Sequence, residues 1–145
     1  MPDFVNKIKI PGIEILSSSI NPKPSEFKGI GFEFGFRLDI KISEARKGAA
    51  VFAKIDVRES KNDYILAVVY VAIGYDFANF EEIFKKSDKS GIWNIPPEIS
   101  SYLNDVTIST LRGLLFNLFQ GTYLSKAIMP LIAKETLVPQ KVPSG

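Results

Sequence analysis

The sequence contains neither cysteine nor histidine. Their absence excludes disulfide frameworks, thiolate and imidazole metal sites, Cys or Ser–His nucleophile pairs, and histidine proton shuttling. Charge of one sign is also scarce. Eighteen basic side chains face sixteen acidic ones, a net charge of +2. The excess is spread along the chain, with 11 basic and 9 acidic residues up to Tyr75 and 7 of each beyond it. No stripe for a polyanion follows, so nucleic acid is not an expected partner. Long apolar runs are missing too. The longest uncharged stretches, Tyr64 to Tyr75 and Gly113 to Ser125, are too short to span a bilayer. Lys7, Lys9, Pro11 and Glu14 interrupt the apolar core a signal peptide would need. These features lead to the expectation of a cytoplasmic protein without membrane insertion.

Against one tryptophan and two methionines stand eleven phenylalanines, in a chain of 145 residues that is 46% hydrophobic. That length suits one domain with a core of its own. We expect the domain to cover residues 1–137 and the polar, proline-containing residues 138–145 to form a disordered tail. The first half reads as strands. Lys9 to Ile20 is one, closed by the link NPKPSEF. From Ile30 to Ile42 the apolar residues Ile30, Phe32, Phe34, Phe36, Leu38, Ile40 and Ile42 alternate with polar ones, the period of a half-buried strand. A third strand points Val51, Ala53, Ile55 and Val57 inward. In a fourth, Tyr64 to Phe77, both alternating sets are apolar, which predicts cover on both faces. Short connections make these four an antiparallel meander.

After Phe77 the period changes. Asn79 to Lys86 reads as a short helix and Ser87 to Trp93 as a polar loop. Pro96 and Pro97 then start a long helix that runs to about Gln120, with Ile99, Leu103, Val106 and Leu114 on one face. Its C-terminal half is apolar nearly all round, the signature of a helix buried on two sides. A short apolar segment with Ile128, Met129, Leu131 and Ile132 follows. The fold class is therefore α+β: a four-stranded antiparallel sheet with a crossover link, a long helix and a C-terminal apolar segment. A 13-residue strand spans roughly 43 Å and a helix of about 25 residues roughly 37 Å, long for so small a body. Sheet and helix are therefore expected to continue across subunit boundaries.

Little chemistry is visible. Gly29, Gly31 and Gly35 spell GxGxxxG, but no helix follows and no lysine stands where a phosphate loop needs it, so they read as strand glycines. Glu81 and Glu82 are adjacent on a helix and point apart, which suits a solvated face better than a metal site. No catalytic residue, metal or cofactor is expected, and the chain reads as a non-enzyme. One helix and one short segment cannot cover every phenylalanine. The surplus belongs either to an oligomer interface or to an apolar groove for extended peptide.

The link NPKPSEF, the four-strand meander and the pattern Q-G-T-Y-L-S-K-A-I-M-P-L resemble the SecB export-chaperone family. The family has a proline-containing crossover ending in Phe, and a long helix closed by a Gly-Thr-aromatic step before an apolar segment with a proline. Gly121, Thr122, Tyr123 and Pro130 keep that order here. The resemblance covers most of Ile13 to Leu137. It implies an ATP-independent holdase for non-native polypeptides in protein export, assembled as a homotetramer, a dimer of dimers with the long helices inside. It also implies client contacts at Pro22, Pro24 and Phe27 of the crossover and at Tyr123, Leu124, Ile128 and Met129 after the helix. Leu111, Leu115, Leu118 and Phe119 are the implied oligomer contacts. Export members carry an acidic sheet surface that docks the SecA motor. Here Glu33, Arg37, Asp39 and Lys41 mix both signs on that face, which argues against SecA docking and for a dedicated client such as an antitoxin. The competing reading is a non-enzymatic oligomeric interaction module whose aromatic surfaces are consumed in fixed contacts.

Overall fold

A computed structural model describes residues 8–62, 64–87, 91–130 and 141–143. Four long strands come first: β1 (Ile8–Ile20), β2 (Phe32–Ser43), β3 (Gly48–Glu59) and β4 (Ile65–Phe77). They form one antiparallel sheet in the order β1-β4-β3-β2, so the link from residue 21 to 31 carries the chain from one sheet edge to the other. Directly paired residues share a face, and the register runs Ile13–Ile73–Val51–Ile40, then Ile15–Val71–Ala53–Leu38. Beyond a bulge in β1 it continues Ser18–Val69–Ile55–Phe36 and Ile20–Ala67–Val57–Phe34. These rows make the apolar face of the sheet.

Helix α2 (Pro97–Phe119) lies on that face. Pro97 occupies its first turn, where a missing N–H costs nothing, and Glu98 complements the exposed N–H groups there. Ile99, Leu103, Thr107, Leu111, Leu115 and Phe119 are all buried. Four residues overshoot a 3.6-residue turn by about 40°, so over five such steps this row winds about 200° around the helix. The sheet alone cannot cover a row that turns so far. After Gly121, at φ +77°, the chain doubles back, and Leu124, Ala127 and Met129 join the same core. Thr122 Oγ1 donates to the Phe119 carbonyl at 2.7 Å, and Arg112 Nε donates to the Met129 carbonyl at 2.9 Å. At the centre the Tyr75 hydroxyl lies 2.9 Å from Thr107 Oγ1, pinning α2 to β4.

Several expectations change. β2 begins at Phe32, because Gly29 and Gly31 take φ of +73° and +72° and lie in the link, not in a strand. Ile30 is consequently 76% exposed. The fourth strand is covered on one face within the chain. Its Val69, Val71, Ile73 and Tyr75 are buried, whereas of its second apolar set only Leu66 is core, Val68 being half-buried and Tyr70 exposed. On α2 the buried row replaces the expected face, with Val106 and Leu114 at its margin. The two-sided cover of the C-terminal half comes from the sheet and the returning segment of the same chain. The short helix shrinks to α1 (Phe80–Ile83), and its expected last residues instead form β5 (Lys85–Lys86), which pairs with β6 (Ile92–Asn94) at the end of the expected loop. Trp93 is buried there against Phe80, ring centroids 5.5 Å apart. Residues 141–143 of the expected tail form β7 (Lys141–Pro143), antiparallel to β6, and residues 138–140 and 144–145 lie outside the described residues.

Candidate functional site

The site follows from a mismatch of widths. Strands lie about 4.8 Å apart, so the outer strands of a four-stranded sheet stand roughly 14 Å from each other, and a helix with its side chains is about 10–12 Å across. α2 therefore covers β4 and β3 and, among the described residues, leaves the β1 margin and the Phe34–Leu38 stretch of the β2 margin less covered, while Ile40 and Ile42 at the other end of β2 are buried. On the β3 and β4 rows Val51, Ile55, Val57, Val71 and Ile73 are fully buried. On the β2 margin Phe34, Phe36 and Leu38 are half-buried against the core. On the β1 margin Ile13 is 48% exposed and Ile15 41%. A cleft of about 280 Å³ opens on this side, lined by Ser18, Ser19, Ile20, Val69, Leu118 and Phe119.

At one end of both margins the crossover link meets the segment after α2. The link is anchored first at Asn21, whose backbone N–H donates to the Leu66 carbonyl and whose side-chain Nδ2 donates to the Ile65 carbonyl. The Tyr123 hydroxyl donates to the Asn21 carbonyl at 2.7 Å. The Phe27 ring stands edge-on to Tyr123, centroids 5.0 Å apart, and tilted against Phe32 at 6.1 Å. Lys23 Nζ lies 5.8 Å from the Phe27 ring. Partial burial pushes the Tyr123 hydroxyl above its ordinary pKa.

Of the residues the resemblance singles out for clients, Phe27 and Tyr123 are brought together in this aromatic junction. Pro22 is exposed, Pro24 half-buried, and Ile128 60% exposed. Leu124 and Met129 are buried in the core. Leu111, Leu115 and Phe119 are likewise buried inside the chain, and Leu118 stands at the margin of the β1 cleft. What α2 presents outward in its C-terminal half is Phe116, 52% exposed, beside Gly113 and Asn117.

Sequence reasoning missed the β1 margin, the outward place of Phe116, and Glu59. The last had a signal. Glu59 continues the inward parity of Val51, Ala53, Ile55 and Val57, and a carboxylate in that register is buried only if something holds it. The opposite sheet face is polar and mixed, with Arg37 paired to Asp39 at 3.2 Å, Arg58 to Asp56 at 3.4 Å, and Lys41 and Lys54 over the Phe52 and Tyr70 rings. Among the described residues no three acidic side chains gather as a metal site, and no helix is long and apolar enough to cross a membrane.

No protein-family profile and no curated protein sequence matches this chain. Solved structures do match. Among them is the Mycobacterium tuberculosis SecB-like chaperone Rv1957 in complex with a ChAD peptide from the Rv1956 HigA1 antitoxin, at a TM-score of 0.57 and 14% identity. The match covers 88% of this chain and 93% of that one. The chain is thus similar in fold to a SecB-like chaperone.

Proposed function

We propose that this protein is an ATP-independent holdase that binds extended segments of non-native polypeptide along the open margins of its apolar sheet face. The observation that carries the reading is the uncovered apolar surface beside α2: Ile13, Ile15 and Ile20 on one margin, Phe34, Phe36 and Leu38 on the other. An extended peptide offers an apolar side chain every second residue, and each one buried contributes about 1.5–3 kcal/mol. A few such contacts give binding that is useful and reversible. The fold shared with a chaperone that holds an antitoxin peptide supports a polypeptide client. The mixed charge of the outer sheet face supports a dedicated client over docking to the SecA motor. No group suited to catalysis enters this mechanism, and its place is the cytoplasm.

The same reading includes assembly as a dimer of dimers. β1 is an edge strand of 13 residues, with Leu16 exposed on the face opposite the client margin, and its free edge is one that a second copy can continue. Phe116 on the outward side of α2 supplies a second contact between protomers. Aggregation of an unrelated unfolding protein is the test. A holdase suppresses it without ATP, whereas an interaction module with all its surfaces consumed leaves it unchanged.

A further inference from the structure

The groove leaves one motif of the sequence without a role, the Gly29–Gly31 pair. Both glycines have positive φ, and together they turn successive N–H groups of the link toward one point, the geometry of an anion-binding nest. The nest is filled by the chain itself. Glu59 Oε2 accepts from the backbone N–H of Lys28 at 2.9 Å and of Gly29 at 2.8 Å. The N–H of Ile30 and the Asn62 side chain also face this carboxylate. Glu59 is 5% exposed at the end of β3. Two residues before Gly29 stands Phe27, its ring on Tyr123. The link is thus pinned at Asn21 on one side and at Glu59 on the other. Between the pins it makes a turn of its own, Phe27 N–H to the Pro24 carbonyl, and rests on the Phe27 ring.

We propose that Glu59 is the positioning residue of the groove. By gripping the N–H groups of Lys28 and Gly29 it holds the Phe27 ring in the groove mouth against Tyr123, and releasing that grip lets the link swing out and vacate a place for an apolar side chain of a client. The inference rests on the holdase reading for its last clause only. A carboxylate holding two backbone N–H groups is a charge-assisted pin, whereas the rest of the link between the pins is held by ring contacts. A client that needs the open link binds with an affinity scaled down by the fraction of molecules in which the link is open.

Lys28 lies in the link, is exposed and is followed by Gly29, whereas the Lys23–Pro24 bond resists trypsin, so limited trypsin digestion of the full chain without client reads the link's opening at Lys28. Glu59→Ala should speed cleavage after Lys28 on the order of tenfold, with Glu59→Gln intermediate and the neighbouring, exposed Glu26→Gln unchanged. Cleavage at sites elsewhere should keep its wild-type rate. Unchanged cleavage in both Glu59 variants overturns the proposal, and so does an acceleration shared by every lysine and arginine, which marks a general loss of stability. Affinity for a permanently unfolded polypeptide, reduced and alkylated lactalbumin, should rise several-fold in Glu59→Gln. An unaltered affinity despite a freed link overturns the link's hold on the groove mouth. A wild-type protein that binds no unfolded polypeptide at all sinks the holdase reading instead, and the digestion pattern still decides whether Glu59 is the pin.

Discussion

The Tyr75 hydroxyl and the Glu59 carboxylate are the two buried groups whose ionisation is most tightly linked to the fold. Burial pushes Tyr75 up to about 12, with Thr107 as its partner and Tyr102 as a facing phenol that adds to the shift. A phenol with an ordinary value of 10 in the unfolded chain contributes stability that is complete below pH 10. That stability is lost as pH rises from 10 toward 12. Alkaline unfolding followed by circular dichroism should therefore steepen above pH 10, and Tyr75→Phe should flatten that limb. Thr107→Val removes the 2.9 Å hydrogen bond and should cost about 1 kcal/mol by urea titration at pH 7. Glu59 has the opposite sign. Burial raises its pKa, but the N–H groups of Lys28 and Gly29, the Asn62 side chain and the N–H of Ile30 outweigh burial and hold it below its ordinary 4.5. Glu26, Lys28 and Lys61 line the same pocket. Its contribution is present above pH 4.5 and lost as pH falls below it, so acid should open the link in the wild type and have little further effect on Glu59→Gln.

Among the elements, α2 decides what belongs to the chain and what is left for partners. Leu115 is 1% exposed, and Leu115→Glu should unfold the protomer, costing at least ~3 kcal/mol. Phe116→Glu should leave thermal unfolding nearly unchanged and lower the mass seen by light scattering. An unaltered assembly in a folded Phe116→Glu variant removes this residue from the interface. Neighbouring positions with the same apolar character thus have opposite consequences, and composition alone could not tell them apart. The strands were legible because a period of two survives in Phe32 to Ile42 and Val51 to Val57, where one face is buried. The second apolar set of β4 misled in part, because Val68 and Tyr70 look like core on paper yet are half-buried and exposed in the sheet, with Lys54 over the Tyr70 ring. Gly29 and Gly31 misled for a similar reason. They continue the alternation on paper, and only their positive φ shows that the strand has not yet begun. β6 and β7 pair residues about fifty positions apart, which no local pattern announces. The aromatic junction was partly legible: Phe27 and Tyr123 were named from the resemblance, while Asn21, whose carbonyl receives the Tyr123 hydroxyl, carries no sign of it in the sequence.

At the scale of the molecule, a sheet of four long strands is too wide for α2 to cover, and the excess of phenylalanine follows from that mismatch. Some rings fill the core, as Phe77, Phe80 and Phe84 do around Trp93. Others line the open margin, as Phe34 and Phe36 do, and Phe27 stands at its mouth. A solitary protomer leaves these surfaces wet, and the holdase reading assigns the free backbone edge of β1 and the outer side of α2 to other copies and the apolar margins beside α2 to clients. An unrelated enzyme that aggregates on heating or on dilution from denaturant measures that assignment most directly. With this protein present at near-stoichiometric assembly and no ATP, light scattering from the aggregating enzyme should fall away, and an apolar dye should bind the native assembly. A folded, fully assembled protein that neither slows the aggregation nor binds the dye would contradict the account.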